Sequence, residues 1–359
     1  MRNRMLVPFL FLLSILMMTL SCSRRTEQRK YSLPKDIAMK IASKTSFNEL
    51  FEKVEEIQLK SDAHHLIGDL SAVTFLKNGD IVVADNPGKQ LLLFTSDGKF
   101  KKQIGRYGAG PGEYRRIADL TVSSTGDLLV LERMRVTRFD SLGNYKASYP
   151  VTNGYAIAPT EDDGFYVYDV YSPPQTGAKV IHKYDRNGRE EKSFGSPSSH
   201  MMVDGIPIVG GTIAVDRVGD VFAVHVSEYE VKKFNSDGDS LGVLSHKNSI
   251  YHPLESPVSP YDTAKLNAFT AVSPILVLRN GVVIVCLSRS RPRPSFLELY
   301  DVNGHFLTGG IQLPNEIAPL RKSVSTDDIV HFQKRIEEVR MDSQGNLPPP
   351  RIIAYKLRL

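Results

Sequence analysis

The residues that could do chemistry fall into a few short groups. Gly108, Gly110 and Gly112, in the run Gly108-Ala-Gly110-Pro111-Gly112-Glu113-Tyr114, have the density of a phosphate-cradling loop. Such a loop works because it follows a strand and opens a helix, whose free N–H groups hold the anion. Here Pro111 interrupts the run and β-like sequence follows, so the stretch reads as a crossover between sheets that needs tight turns. Asn235-Ser-Asp237-Gly238-Asp239 resembles a calcium loop, but its glycine precedes the third ligand position and no glutamate follows at the required distance. It reads as a hairpin turn. The nine histidines form no HExxH and no pair at helical metal-ligand spacing. His64 and His65 are adjacent, and neighbours on a strand point to opposite faces. There is no G-x-S-x-G elbow. These patterns predict no metal site and no cofactor.

What remains is a set of arginines whose grouping depends on the elements that carry them. The stretch from Ala118 to Asn144 reads as three short antiparallel strands, Leu120 to Val122, Leu128 to Leu131 and Val136 to Phe139, closed by Asp140-Ser-Leu-Gly143. Strands this short are marginal alone, so the unit has to repeat. It does, as an apolar strand ending in Phe or Tyr followed by a polar turn ending in Gly98, Gly143, Gly188, Gly238 and Gly304, at steps of 45, 45, 50 and 66 residues. Upstream of each lies a matching turn, at Gly79, Gly126, Gly164, Gly219 and Gly281, followed by an apolar run such as Ile81-Val-Val-Ala84 or Val282-Val-Ile-Val-Cys286. Continuous apolar runs of this length mean strands buried on both faces, the condition between neighbouring propeller blades.

Five full repeats leave one blade to be built from the ends. Val54 to Leu59 and Arg351 to Leu357 are lone strands, and pairing them in one sheet would close the ring and remove two open edges. The expected fold is therefore all-β, a six-bladed β-propeller with four-stranded antiparallel blades, its last blade closed by the N- and C-terminal strands. Ser325-Thr-Asp-Asp328 reads as the start of one short C-terminal helix carrying Ile329, Phe332, Ile336 and Val339, with Ser325 and Asp328 as a capping box.

In a four-stranded meander, the links from second to third strand and from blade to blade emerge on one face. That face collects Arg106, Arg115, Arg116, Arg133, Arg135, Arg289, Arg291 and Arg293, with Asp85, Glu113 and Glu132 among them, and also Tyr107 and Tyr114. The opposite face collects Asp97, Asp140, Asp185, Asp237, Asp239 and Asp301. Arginine forks match carboxylate, sulfate and phosphate groups bidentately, which would suit an anionic partner. The plainer account is that the arginines solvate long loops and the aspartates stand where turns favour them.

At the start, Arg2 and Arg4 precede an apolar run from Met5 to Leu20 and then Ser21-Cys22, the shape of a secretory signal. A small residue directly before cysteine resembles a bacterial lipobox, so residues 1–21 are expected to be removed and Cys22 to be acylated. Removing Arg2 and Arg4 takes the 45 basic residues to 43 against 40 acidic, a net charge of +3 instead of +5 and too balanced to predict nucleic-acid binding. Cys286 would then stand alone, inside an apolar run and without a disulfide. Residues 22–48 read as a polar, basic tether, and 49–359 as the propeller.

IQLKSDAHHLIGDL near the start, GRYGAGPGEYRRI (Gly105 to Ile117), the repeated FD-x-x-G turns and the closing YKL resemble the six-bladed β-propeller lipoproteins of Bacteroidetes, which are similar to NHL-repeat and TolB-like propellers. The resemblance implies a monomeric, non-catalytic cell-envelope lipoprotein, held in the bilayer through Cys22, that binds a protein or glycan partner through its loop-bearing face. Two alternatives stay open. One is a calcium-dependent lactonase- or lyase-like enzyme with a site in the central channel. The other is a structural subunit of an outer-membrane assembly. Surface-sent relatives tend to carry acidic residues after the lipidated cysteine; Ser23-Arg24-Arg25 does not, which favours an outer-membrane anchor facing the periplasm.

Overall fold

The structure is a computed structural model that describes residues 32–170, 177–199, 202–203, 206–255, 259, 261–289, 294–324, 328–335 and 348–359. Cys22, Arg291, Arg293, Ser325, Ile336 and Val339 therefore lie outside the described residues.

Six four-stranded antiparallel sheets follow one another along the chain. Blade one holds Ala72–Phe75, Ile81–Asp85, Gln90–Phe94 and Phe100–Gln103, and blade two Ile117–Val122, Leu128–Glu132, Arg135–Phe139 and Tyr145–Pro150. Blade three is Gly154–Pro159, Phe165–Asp169, Ile181–Tyr184 and Glu190–Phe194; blade four is Gly211–Val215, Val221–His225, Val231–Phe234 and Ser240–Leu244. Blade five runs from Thr270–Val277 through Val282–Arg289 and Ser295–Asp301 to Phe306–Gln312. The first strands of successive blades touch in order, and Ile317–Val324 of blade six returns to touch Ala72–Phe75, so the wheel is closed.

Blade six is composite. Ile317–Val324, Ile329–Lys334 and Arg351–Leu357 come from the end of the chain, and Phe51–Gln58 from its beginning adds the outermost strand, with Phe51 opposite Leu357 and Gln58 opposite Arg351. The expected closure is thus observed, with one register shift between Lys53 and Glu55. The expected C-terminal helix is corrected: Ile329 and Phe332 belong to a strand. Val330 and Phe332 are both buried, an i, i+2 pair that fits a strand, and the pairing needed between Ile317–Val324 and Arg351–Leu357 overrides the helical spacing of Ile329 and Phe332.

The tether also needs correction at its C-terminal end, since Lys35–Ala42 (α1) and Phe47–Leu50 (α2) are helices. Ile41 is buried, and the Thr308 hydroxyl donates to the Lys44 carbonyl at 2.8 Å, which ties this segment to the outer strand of blade five. A capping box does exist, at Ser46 and Glu49 of α2. Phe47 lies 4.9 Å from Phe51 and 5.0 Å from Tyr355 between ring centres, so α2 seals the closing blade with aromatic packing. Apolar residues placed by sequence alone at wide intervals (Leu33, Ile41, Phe47) join one core cluster with Ile284, Val330 and Phe332. Among the described residues no helix is long and apolar enough to cross a membrane.

The core lies between blades. Every residue of Ile81–Asp85, Leu128–Glu132, Phe165–Asp169 and Val221–His225 is buried, as the continuous apolar runs predict. Burying each large side chain of such a strand contributes roughly 1.5–3 kcal/mol.

The repeated turn glycines have a second reason beyond backbone conformation. Gly98, Gly143, Gly188, Gly238 and Gly304 all have φ between +74° and +91°. Each also sits against the end of the preceding blade's outer strand: a Cβ on Gly98 would lie 2.2 Å from the Gln58 carbonyl oxygen, and one on Gly188 2.3 Å from the Tyr149 ring. Gly219 shares the positive φ, at +88°, but has open space around it. Gly98→Ala is therefore expected to cost roughly 2–3 kcal/mol, from the left-handed backbone plus the clash, and Gly219→Ala roughly 1, from the backbone alone. Urea midpoints of the two variants check the difference.

Candidate functional site

Links on the loop-bearing face are fastened by polar residues at the ends of the second strands. Asp85, 1% exposed, accepts the N–H groups of Gly68 (2.8 Å), Asp69 and Gly88 and the Gln90 amide. Glu132 accepts the Arg115 N–H at 2.8 Å and the Arg135 guanidinium. His225 is engaged at both ring nitrogens, with the Ser227 hydroxyl at 2.7 Å and the Ile208 carbonyl at 2.9 Å. Near the axis, Asp119 of one innermost strand accepts the Ile157 N–H of the next at 2.9 Å. These buried groups are satisfied by the protein itself, as buried polar groups need to be. Asp119 and His225 carry no sequence motif, and the spacing that places Asp85 and Glu132 among the loop-face arginines does not show which N–H groups they accept.

The glycine-rich loop proves to be an anion cradle that the chain fills itself. Arg106–Tyr107 and Glu113–Tyr114 pair as a short parallel ribbon, and the Glu113 carboxylate accepts the Gly110 N–H at 2.8 Å and the Arg106 Nε at 2.6 Å. The Gly110 N–H and the Arg106 guanidinium hold Glu113 below the usual carboxylate range. A Cβ at Gly108 would lie 2.1 Å from the same carboxylate oxygen, which is why glycine stands there. Asn235 to Asp239 is the expected hairpin turn, the Asn235 side-chain oxygen accepting the N–H groups of Asp237 (3.0 Å) and Asp239 (2.8 Å). His65 is 2.8 Å from Asp62 and stacks on Phe100. Among the described residues, no three His, Cys, Asp or Glu side chains are placed to hold a metal ion. Cys286 is buried, and burial pushes its thiol up to about 12.

The arginines expected to form a cationic mouth share the loop-bearing face but are largely committed. Arg106 pairs with Glu113; Arg135 pairs with Glu132 and donates to the carbonyls of Ala109 (3.1 Å) and Glu113 (2.8 Å), which pins the glycine loop. Arg133 donates to the Asn153 side chain at 3.2 Å and Arg289 to the Ile250 carbonyl at 2.8 Å. Tyr114, expected on the binding face, is instead buried at 1% exposure, its hydroxyl accepting the Leu91 N–H at 2.8 Å. Tyr107 is half exposed beside Lys89, whose ammonium lies 5.0 Å from the ring centre, and Arg115 and Arg116 are exposed. The acids of the opposite face cap their own turns, Asp140 and Asp185 each accepting two backbone N–H groups.

Exposed apolar side chains distinguish the two faces. Among the described residues, the exposed large apolar side chains on links of the loop-bearing face are Leu66, Tyr107, Met134, Val209 and Tyr261; Leu142 and Val218 stand on turns of the other face, and Tyr145, Leu241, Val243 and Phe306 on outer strands. Leu66, Tyr107 and Met134 lie on links of blades one and two, and the Lys89 ammonium lies over the Tyr107 ring.

A solved structure of a Bacteroides fragilis protein described as exported aligns with a TM-score of 0.65 at 13% identity, covering 88% of this chain and 98% of that one. A DUF4221-family protein of Bacteroides vulgatus aligns with a TM-score of 0.61 at 10% identity, covering 86% and 99%. Virginiamycin B lyase of Staphylococcus aureus aligns with a TM-score of 0.51 at 11% identity, covering 86% and 100%. At these identities the likeness is one of fold. No curated protein matches this sequence. Residues 31–259, more than half of the chain, match the family described as the domain of unknown function DUF4934, and the chain belongs to that family.

Proposed function

We propose that the chain is a cell-envelope lipoprotein that catalyses nothing and binds a protein or glycan partner through its loop-bearing face. The observation that carries this is the asymmetry of exposed large apolar side chains, five on the loop face against two on the other, because aromatic and methionine side chains are enriched where proteins dock. The Lys89 ammonium over Tyr107 and the exposed Arg115 and Arg116 of the same link favour an anionic partner. The N-terminal Arg2, Arg4 and the apolar run up to Ser21-Cys22 support export and lipid attachment, in keeping with the B. fragilis structure described as exported. The lyase-like reading would need inward carboxylates or imidazoles converging on an ion.

The test compares Tyr107→Ser/Met134→Ser with Leu142→Ser/Val218→Ser, each in the full chain, on glycan arrays and against envelope proteins of the host. The loop-face pair is expected to lose at least about tenfold in binding, the loss of two interface anchors, and the opposite-face pair to keep it. Equal behaviour of the two pairs defeats the proposal, and stoichiometric calcium in the purified protein would favour the enzyme.

A further inference from the structure

The outermost strand of each blade presents an open row of backbone N–H and C=O groups, which proteins guard with charge or cover. In blades one to three, three successive outer-strand positions hold Lys101-Lys102-Gln103, Lys146-Ala147-Ser148 and Glu191-Lys192-Ser193, aligned by the same register shift against the third strand. The outer strand of blade six, Phe51–Gln58, carries Glu52, Lys53, Glu55 and Glu56. That of blade five, Phe306–Gln312, has no charge but lies under α1, with Ile37, Ala38 and Leu307 packed on one core cluster and the Thr308 hydroxyl bonded to the Lys44 carbonyl. Blade four differs. Its outer strand, Ser240–Leu244, is aligned by the same shift and has Leu241-Gly242-Val243 at the three positions. Leu241 is 42% and Val243 47% exposed, and a Cβ at Gly242 would meet nothing within 4 Å. Among the described residues no strand pairs with this edge, and no residue of the strand is charged.

We infer that Ser240–Leu244 is a pairing edge whose occupant is the same strand of a second copy of this chain, joined antiparallel about a two-fold axis at Gly242. Pairing in this direction sets Leu241 of each copy opposite Val243 of the other, so four apolar side chains close on one face of the joined sheet. Glycine within a strand suits a place where another backbone approaches closely. The same pairing of blade one's edge would set Lys102 against Lys102 of its copy. The flanks of the strand agree in charge, since Asp237 and Asp239 precede it and Lys247 follows it, all exposed. Antiparallel pairing brings each copy's acidic end to the other's basic end, whereas parallel pairing would set like against like. A row of five residues buries less than the roughly 1,200–2,000 Å² of a stable interface, so the dimer is expected to be weak, with a Kd of about 10–100 μM.

Sedimentation equilibrium of the full chain in detergent, from about 1 to 200 μM, tests the inference. The parent is expected to pass from monomer to dimer. Leu241→Lys/Val243→Lys, which sets ammonium against ammonium at both contacts, is expected to weaken the dimer at least about tenfold. Leu241→Lys/Val243→Glu is expected to return to within about threefold of the parent, because the lysine of one copy then faces the glutamate of the other. Both side chains are exposed in the monomer, so the melting temperatures of the dilute variants are expected to match the parent's and to show that the fold is intact. A parent that stays a monomer overturns the inference and leaves the edge to a strand of another protein. A dimer that survives the double lysine is held elsewhere, and a lysine–glutamate variant as weak as the double lysine refutes the antiparallel register; either result overturns it. The edge stands on the rim, so such a failure leaves docking through Tyr107 and Met134 untouched, and a failure of that docking leaves the dimer untouched.

Discussion

Arg138→Met is expected to cost about 3–5 kcal/mol of stability, since removing one member of a buried charge cluster strands the others. Arg138 is 4% exposed on the third strand of blade two. Its Nε donates to Asp127 at 2.8 Å, its Nη2 to Asp163 of blade three, and its Nη1 to the Arg186 carbonyl at 3.2 Å. One guanidinium thus joins two blades at three points, which a methionine of similar volume cannot do. Lys146 still reaches Asp127 at 2.7 Å, so the group left without a cation is Asp163. Burial works to raise the Asp163 pKa, but the hydroxyls of Thr125 and Ser123 and the Arg138 guanidinium overcome it and hold the group at about 2. An acid with a depressed folded value stabilises the fold above its ordinary value of 3.8 and loses that contribution as the pH falls toward 2. In Arg138→Met the Asp163 contribution should shrink to what the Thr125 and Ser123 hydroxyls supply, and Arg138→Met/Asp163→Asn should recover part of the loss. Urea unfolding of the three proteins at neutral pH is the measurement; a single-variant cost under about 1 kcal/mol would show the cluster to be solvated and weak.

Glu298→Gln is expected to stabilise the protein by about 3 kcal/mol at pH 8 and to change little at pH 4. Glu298 has no exposed surface and, among the described residues, no cation paired with it; it accepts from the Tyr300 hydroxyl at 2.8 Å and from the Asn248 amide, and Tyr300 is 2.6 Å from the Tyr229 hydroxyl. Burial pushes its carboxyl from 4.5 up to about 7. A raised acid makes the folded state hold its proton longer than the unfolded chain does. Stability is therefore full below about 4.5, falls as the pH rises to about 7, and stays low above, by about 3 kcal/mol for a shift of this size. A glutamine can replace the protonated acid: its oxygen accepts from Asn248 and its N–H donates to the Tyr300 oxygen, which donates on to Tyr229. Denaturant midpoints of parent and variant from pH 4 to 8 should diverge only above about pH 5. Parallel curves would mean that the carboxylate is charged and hydrated throughout.

The wheel itself was legible in the sequence because its marks are local. Aromatic-to-glycine turns repeat at near-constant spacing, and runs such as Leu128 to Leu131 can only be strands covered on both sides. Closure was legible too, since Val54 to Leu59 and Arg351 to Leu357 had no other partner. What escaped depends on contacts far apart in sequence. Ile329 and Phe332 carry a helical spacing that pairing with Arg351–Leu357 overrules. Tyr114 sits in a polar loop, yet its ring is buried beneath blade one. Arg138 belongs to no motif, although a signal existed: Arg138, Lys183 and Lys233 occupy the same place in their repeats, directly before the aromatic residue. Lys183 lies 3.5 Å from Asp162, and Lys233 lies 2.8 Å from Asp220. In blades one and five that place holds Leu93 and Leu299, so the cation is a fastener of the middle blades only. The pairing of Arg106 with Glu113, Arg135 with Glu132 and Arg289 with the Ile250 carbonyl is set by loop paths that spacing does not reveal.

The composite sixth sheet has a kinetic consequence. During synthesis Phe51–Gln58 emerges early and waits with both flanks open until Arg351–Leu357 leaves the ribosome some 300 residues later. The latch therefore shuts last, and a chain cut short by its final ten residues would leave Phe51–Gln58 without its partner strand and blade six with only Ile317–Val324 and Ile329–Lys334 to close the ring.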